Sequence, residues 1–265
     1  MYTNYYLSSR LFHGSIEKVM GTRLDALLFG DEPASLKALW LDIIAEMLRL
    51  EKMLNRFDAG SALSQVNMNA VLYPVGMNDE LWAILMDCKR YHVLTEGCFD
   101  ITLGHWNEVS FDEVNRTVFF TGRASFDLGG YAKGYAAQKI SLLLKRDAVT
   151  RALVNFGNSM ALALGTHPHG NFWPAGIDNP YTNQPVDNLR LRDTALSVSG
   201  NAPARPDHII CPATGERVTA HKMVAIVAPH PVDAEVLTTA LMADDGSAEN
   251  WLGRFDIHEY KMYNC

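Results

Sequence analysis

Residues 126 to 138 read FDLGGYAKGYAAQ, with a carboxylate, paired glycines and a lysine where a helix is expected to start. Phe126, Asp127 and Leu128 read as the end of a strand. Gly129 and Gly130 then let the backbone come close to a ligand. The unbonded N–H groups and positive dipole end of such a helix favour an anion. Lys133 adds a mobile point charge of the kind that suits phosphate. The same residues would also serve a plain tight turn with a solvated lysine, so the stretch alone leaves both readings open.

Two further places carry residues able to do chemistry. In DHIICPATGE, residues 207 to 216, His208 precedes an apolar pair and the turn PATG. An imidazole is suited by its ordinary pKa to accept a proton near neutrality, although a histidine beside a strand can equally be packed or exposed. In DAEVLTTALM, Glu235 and Thr239 lie four residues apart on a predicted helix and so share one face. A carboxylate with a hydroxyl is a hard-oxygen pair suited to Mg²⁺, and equally an exposed glutamate above a buried threonine.

Helices and strands must position these groups. Between 33 and 57, Leu36, Leu39, Trp40, Ile43, Ile44, Met47 and Leu54 recur at steps of three and four, which predicts an amphipathic helix ending at the turn cluster NRFDAGS. A second helix is predicted from Asn78 or Asp79, either able to cap it, until Gly97 stops it. A third runs from the opening motif to about Lys145. The later segments RALVNFG, MALALG, FWPAGI, TALSVSG and KMVAIVAP are short, apolar and bounded by Gly, Pro or Asn, so they read as strands. A last helix begins at Pro231. Helices in the first half and strands in the second predict an α+β fold, with 1–265 as a single domain.

Composition narrows the function. The chain has 265 residues, 48% hydrophobic and 20% charged, as in an ordinary globular protein. A formal charge of −7 with no cluster of Lys or Arg argues against a nucleic acid or anionic membrane as partner. Cys88, Cys98, Cys211 and Cys265 have neither metal-finger nor redox spacing, so thiols in a reducing compartment are expected. No run of about 18 apolar residues would form a membrane segment. The start MYTNYYLSSRLFHG has no basic, then apolar, pattern of a signal peptide, and a cytoplasmic protein is expected.

In chain order, GT at 21–22, NRFDAGSALSQVN at 55–67, FDITLG at 99–104, FDLGGYAKGYAAQ, ALVNFGN at 152–158, WPAGIDNP at 173–180, SVSG at 197–200, HIICPATG at 208–215 and AEVLTTAL at 234–241 resemble the ApbE family of FAD:protein FMN transferases. The resemblance implies Mg²⁺-dependent cleavage of the FAD pyrophosphate, transfer of the FMN half to a Thr or Ser hydroxyl of a cytosolic acceptor protein, and release of AMP. Some members instead hydrolyse FAD. It also implies that Asp127, Gly129, Gly130, Lys133 and Gly134 line the diphosphate site, with Lys133 and His208 catalytic, His208 taking the proton of the attacking hydroxyl. Thr22, Ser61, Asn67, Asp100, Asn155, Gly157, Ser199 and Gly200 would frame the dinucleotide, and the Ala132 carbonyl, Glu235 and Thr239 would hold Mg²⁺.

This chain departs from the family pattern at several of these places. Glu235 and Cys211 stand where aspartates are usual, and Asn158, Val198 and Gln138 replace a glycine, a threonine and an aspartate. Those changes raise the alternative of a divergent FAD-binding protein with little turnover.

Overall fold

The computed structural model describes residues 1–157, 159–203, 209–244 and 246–265. The fold is α+β, and every strand pairing is antiparallel. Three strands open the chain: β1 (Tyr2–Tyr6), β2 (Leu11–Val19) and β3 (Thr22–Phe29). They correct the expected division into a helical and a stranded half. Their signal is the period-two burial of β3, where Leu24, Ala26 and Leu28 are buried and their neighbours are not.

Helix α1 (Pro33–Leu54) buries the predicted stripe, with Pro33 in its first turn, and ends three residues before 57. Local side-chain bonding then takes over: Asn55 Oδ1 accepts the Phe57 N–H and Asp58 Oδ1 accepts the Gly60 N–H. Ser61 caps α2 (Ala62–Asn69), a helix absent from the sequence reading, by accepting the Ser64 N–H at 3.0 Å. After β4 (Val75–Gly76), helix α3 (Asp79–Leu94) is capped by Asn78. Strands β5 (Val109–Asp112) and β6 (Thr117–Phe120) join β4 in a three-stranded sheet. Helix α4 (Ala132–Arg146) follows.

The predicted strands appear as β7 (Ala152–Phe156), β8 (Met160–Leu164), β9 (Trp173–Asp178), β11 (Thr194–Gly200) and β12 (Lys222–Ala228), with β10 (Pro185–Leu191) added. Helix α5 (Pro231–Ala243) and edge strand β13 (Glu259–Asn264) complete the chain. The large sheet runs β1-β2-β3-β7-β8-β11-β12-β13, and β9 and β10 form a separate ribbon. After Lys222, strand β12 is apolar because both its faces are covered. Val224, Ile226 and Ala228 join the helix-side core, while Met223, Ala225 and Val227 join Trp173, Ile177 and Leu189 of the ribbon. Helix α5 lies across β11 and β12 and against α4, and that packing builds the site.

Candidate active site

Residues 126 to 128 belong to no strand, which corrects the expected strand end. Asn67 holds them from the side: its Oδ1 accepts the Phe126 N–H at 2.7 Å and its Nδ2 donates to the Phe126 carbonyl at 2.9 Å. The Asp127 N–H donates to the Ile101 carbonyl at 2.7 Å. The chain then turns through Gly129 and Gly130 into α4, whose first residue is capped by no side chain. Neither glycine has a positive φ, so their role here is space. A Cβ on Gly130 would lie 2.8 Å from Thr239 Oγ1. The backbone at the helix mouth therefore sits directly against α5.

One turn into α4, Gly134 closes the contact between the two helices. A Cβ there would meet the Pro231 carbonyl oxygen at 2.8 Å and both Val232 Cα and Glu235 Cβ at 2.9 Å. Gly134 is buried at the helix crossing and is not among the residues that line the cavity. Its absent side chain has a consequence one residue earlier: the Lys133 ammonium reaches Glu235 Oε1 and forms an ion pair with it. Glu235 is only 3% exposed, and its other oxygen accepts from Ser197 Oγ at 2.9 Å. Ser197 and Ser199 of β11 also meet Thr238 Oγ1, at 3.1 and 3.0 Å. Thr239 donates to the Glu235 carbonyl at 3.2 Å.

Of these, Lys133, Ser199, Glu235 and Thr239 face a cavity of about 1090 Å³. Of the residues expected at the site, Thr22, Asp100, Asp127, Gly129, Gly130, Ala132, Lys133, Asn155, Gly157, Ser199, Gly200, Glu235 and Thr239 line it. Gly157 has φ +57°, which favours glycine, and a Cβ there would fall 2.3 Å from Thr22 Oγ1 and displace that hydroxyl. Asp100 gathers the Thr102 and Gly104 N–H groups, at 2.7 and 2.9 Å, and shapes the 100–104 loop. Ser61 and Asn67 do not line the cavity, contrary to expectation: Ser61 is a fully buried helix cap, and both polar ends of the Asn67 amide are spent on Phe126.

His208 lies outside the described residues. The chain that follows it borders the cavity through Ile209, Ile210 and Pro212, and the turn read in PATG is present, with the Gly215 N–H donating to the Cys211 carbonyl at 2.8 Å. Asp233 is on another face of α5 from Glu235, as its offset of two residues requires, and accepts from the Tyr91 hydroxyl. Burial, with the Asp233 charge, pushes the Tyr91 phenol well above its usual range.

Ser197 and Arg56 were missed as site residues. Ser197 stands inside the quoted SVSG stretch, where alternation along a strand could have paired it with Ser199 on one face. Arg56 ion-pairs with Asp127 at 2.8 Å and lies 4.8 Å from the centre of the Phe57 ring, which is 84% exposed at the cavity wall. Its signal was hidden within a turn cluster. Among the described residues no group of three or more His, Cys, Asp or Glu could hold a metal ion. The donors at the helix junction are one carboxylate with a hydroxyl and backbone carbonyls, a set that suits a hard cation completing its shell with water and phosphate oxygens.

The fold and cavity define an α+β protein with a helix start free of side-chain capping beside a buried carboxylate paired with lysine. A profile of the ApbE family matches residues 20–118 and 105–258, and the chain belongs to that family. Among curated relatives, the FAD:protein FMN transferase of Treponema pallidum is 29% identical over 84% of this chain and 76% of its own length. Those of Chlamydia muridarum and Klebsiella pneumoniae are each 23% identical, over 63% and 85% of this chain and 62% and 76% of their own lengths. The transferase class expected from the motifs agrees with these names. Among solved structures, the ApbE protein of Thermotoga maritima superposes with a TM-score of 0.82 at 19% identity over 96% of each chain. The flavin transferase ApbE of Vibrio cholerae gives 0.78 at 20% identity over 95% of this chain and 96% of its own. Both share this fold.

Proposed function

We propose that this chain takes FAD as substrate and transfers its FMN half to a Ser or Thr hydroxyl of a protein, expected to be cytosolic, with release of AMP. The observation that carries this reading is the meeting of the uncapped α4 mouth, Lys133, Glu235 and Thr239 in one cavity. In the transfer, the acceptor oxygen forms a bond to the FMN phosphorus, the pyrophosphate P–O bond breaks, and AMP leaves with the bridging oxygen. Little covalent help is needed from the protein, so positioning and charge neutralisation carry the rate. The Tyr131 and Ala132 N–H groups are spent on the Leu128 carbonyl, so the positive end of the α4 dipole and Lys133 neutralise phosphate oxygens, and Gly129 and Gly130 let them come close. His208 is the expected acceptor of the hydroxyl proton.

Glu235, Thr239 and the Ala132 carbonyl would hold Mg²⁺, with Ser197 keeping the carboxylate aimed. A bound Mg²⁺ supplies Lewis-acid stabilisation of phosphate charge. The reading is tested by incubating the chain with FAD, Mg²⁺ and candidate acceptor proteins. AMP and a covalently fluorescent acceptor are expected, and His208→Ala should abolish both. AMP without labelled protein would indicate that water is the acceptor and the chain is a FAD pyrophosphatase. A flavin-holding role with little turnover is favoured by one observation, that both Glu235 oxygens already have partners within the chain. Normal FAD binding with no AMP under any divalent metal would establish that alternative.

A further inference from the structure

Lys133 and Glu235 are each expected to meet something from outside, a phosphate and a cation, yet they are bound to each other. The carboxylate is 3% exposed and has a partner on each oxygen, the Lys133 ammonium on Oε1 and the Ser197 hydroxyl on Oε2. Removing one member of a buried ion pair leaves a charge without compensation, so each group meets a need of the other. The glutamate chain is one methylene longer than aspartate, and Gly134 brings the helices close enough for that reach to be used.

We propose that Lys133 is the resident counter-cation of Glu235, and that Ser197 is a positioning residue that keeps the carboxylate aimed while Lys133 is exchanged. Divalent metal alone must compete with Lys133 for Oε1. A diphosphate alone must take Lys133 from Glu235. Either ligand parts the pair and so prepares the site for the other, a reciprocal coupling between the two. The inference rests on the dinucleotide reading of the site, but its metal arm does not need FAD.

The test uses the full chain, with Mn²⁺ as metal probe, read from the electron paramagnetic resonance of the free ion without nucleotide. Lys133→Met should bind Mn²⁺ about tenfold more tightly than the unmodified chain, within the usual range of coupling between sites. A second arm measures FAD affinity by flavin fluorescence in the presence of chelator. Glu235→Gln should bind FAD about tenfold more tightly than the unmodified chain, because Lys133 is released. Simple removal of a negative charge would help FAD in any background. The double variant isolates the exchange: with Lys133 already Met, the gain from Glu235→Gln should fall to about twofold or less. Lys133→Gln, whose amide can still donate to Glu235, replaces Lys133→Met if that protein does not fold. Equal Mn²⁺ affinities with and without Lys133, or an undiminished FAD gain in the double variant, would overturn the proposal. Failure of every protein to bind FAD would sink the dinucleotide reading instead, and the Mn²⁺ comparison would still decide the role of Lys133.

Discussion

Two of the three lysines of helix α4, Lys133 and Lys139, lie six residues apart, and each binds a glutamate from another helix. Lys133 meets Glu235 of α5, and Lys139 meets Glu80 of α3 at 3.0 Å. The environments differ. The side chain of Glu235 is 4% exposed and that of Glu80 is 24% exposed. Glu80 also accepts from Arg49 of α1 and from Tyr135, so it ties three helices together, and it does not line the cavity beside Glu235. An exposed network of this kind is a tether of modest strength. The buried pair has a small retinue and an opening beside it. It holds charge that a ligand can claim, and that separates a site from a strut built of the same residue types.

The largest expected effect that sharpens this contrast is on turnover. Lys133→Met should lower kcat/KM for AMP release from FAD by about 10²–10³, the usual loss when one preorganised donor to a transition-state charge is removed. The loss should fall mainly on kcat, read by steady-state kinetics, and it would accompany tighter binding of Mn²⁺ alone. Next comes the helix crossing that creates the pair. Gly134→Ala would place a methyl against backbone atoms of Pro231 and Val232, which cannot swing aside. Overpacking of about 1–3 kcal/mol is expected, more than the roughly 1 kcal/mol that alanine gains over glycine in a helix. A thermal melt should show Tm lowered by several degrees, and unchanged stability would mean the helices are not in close contact.

The fold was legible where pattern and period were long. The stripe of α1, the Asn78 cap of α3 and the run of β12 each carry enough repeated signal to name the element. Strands β1 to β3 were missed because charged and polar residues such as Glu17, Lys18 and Asp25 alternate with or follow their apolar ones, so no unbroken apolar run marks them. At the site, the motifs supplied the residue types and the structure brings most of them to one cavity. Three distinctions could not be read along the chain. Asn67 and Ser61 spend their polar atoms on backbone, Gly134 serves packing, and Lys133 and Glu235 are partners across 102 residues. Each depends on which helix lies against which, information that no local spacing contains.

Smaller effects test the tether. Arg49 above all, with Lys139 and Tyr135, holds the Glu80 carboxyl down to about 2, from an ordinary value of 4.5. A depressed carboxylate contributes stability above its unfolded pKa and loses that contribution as pH falls through the folded value. Unmodified chain and Glu80→Gln should therefore differ in Tm by a constant amount above pH 4.5 and converge as pH falls towards 2. The corresponding difference in unfolding free energy should be about 1 kcal/mol, as for a partly exposed network. Lys139→Met should be the mildest change, about 0.5 kcal/mol or less, because Arg49 keeps two contacts to Glu80 at 2.6 and 2.9 Å. It should leave FAD and Mn²⁺ affinity unaltered in the titrations used for Lys133. A shift in either affinity comparable to that of Lys133→Met would show that position on the helix, and not burial beside the cavity, sets what these lysines do.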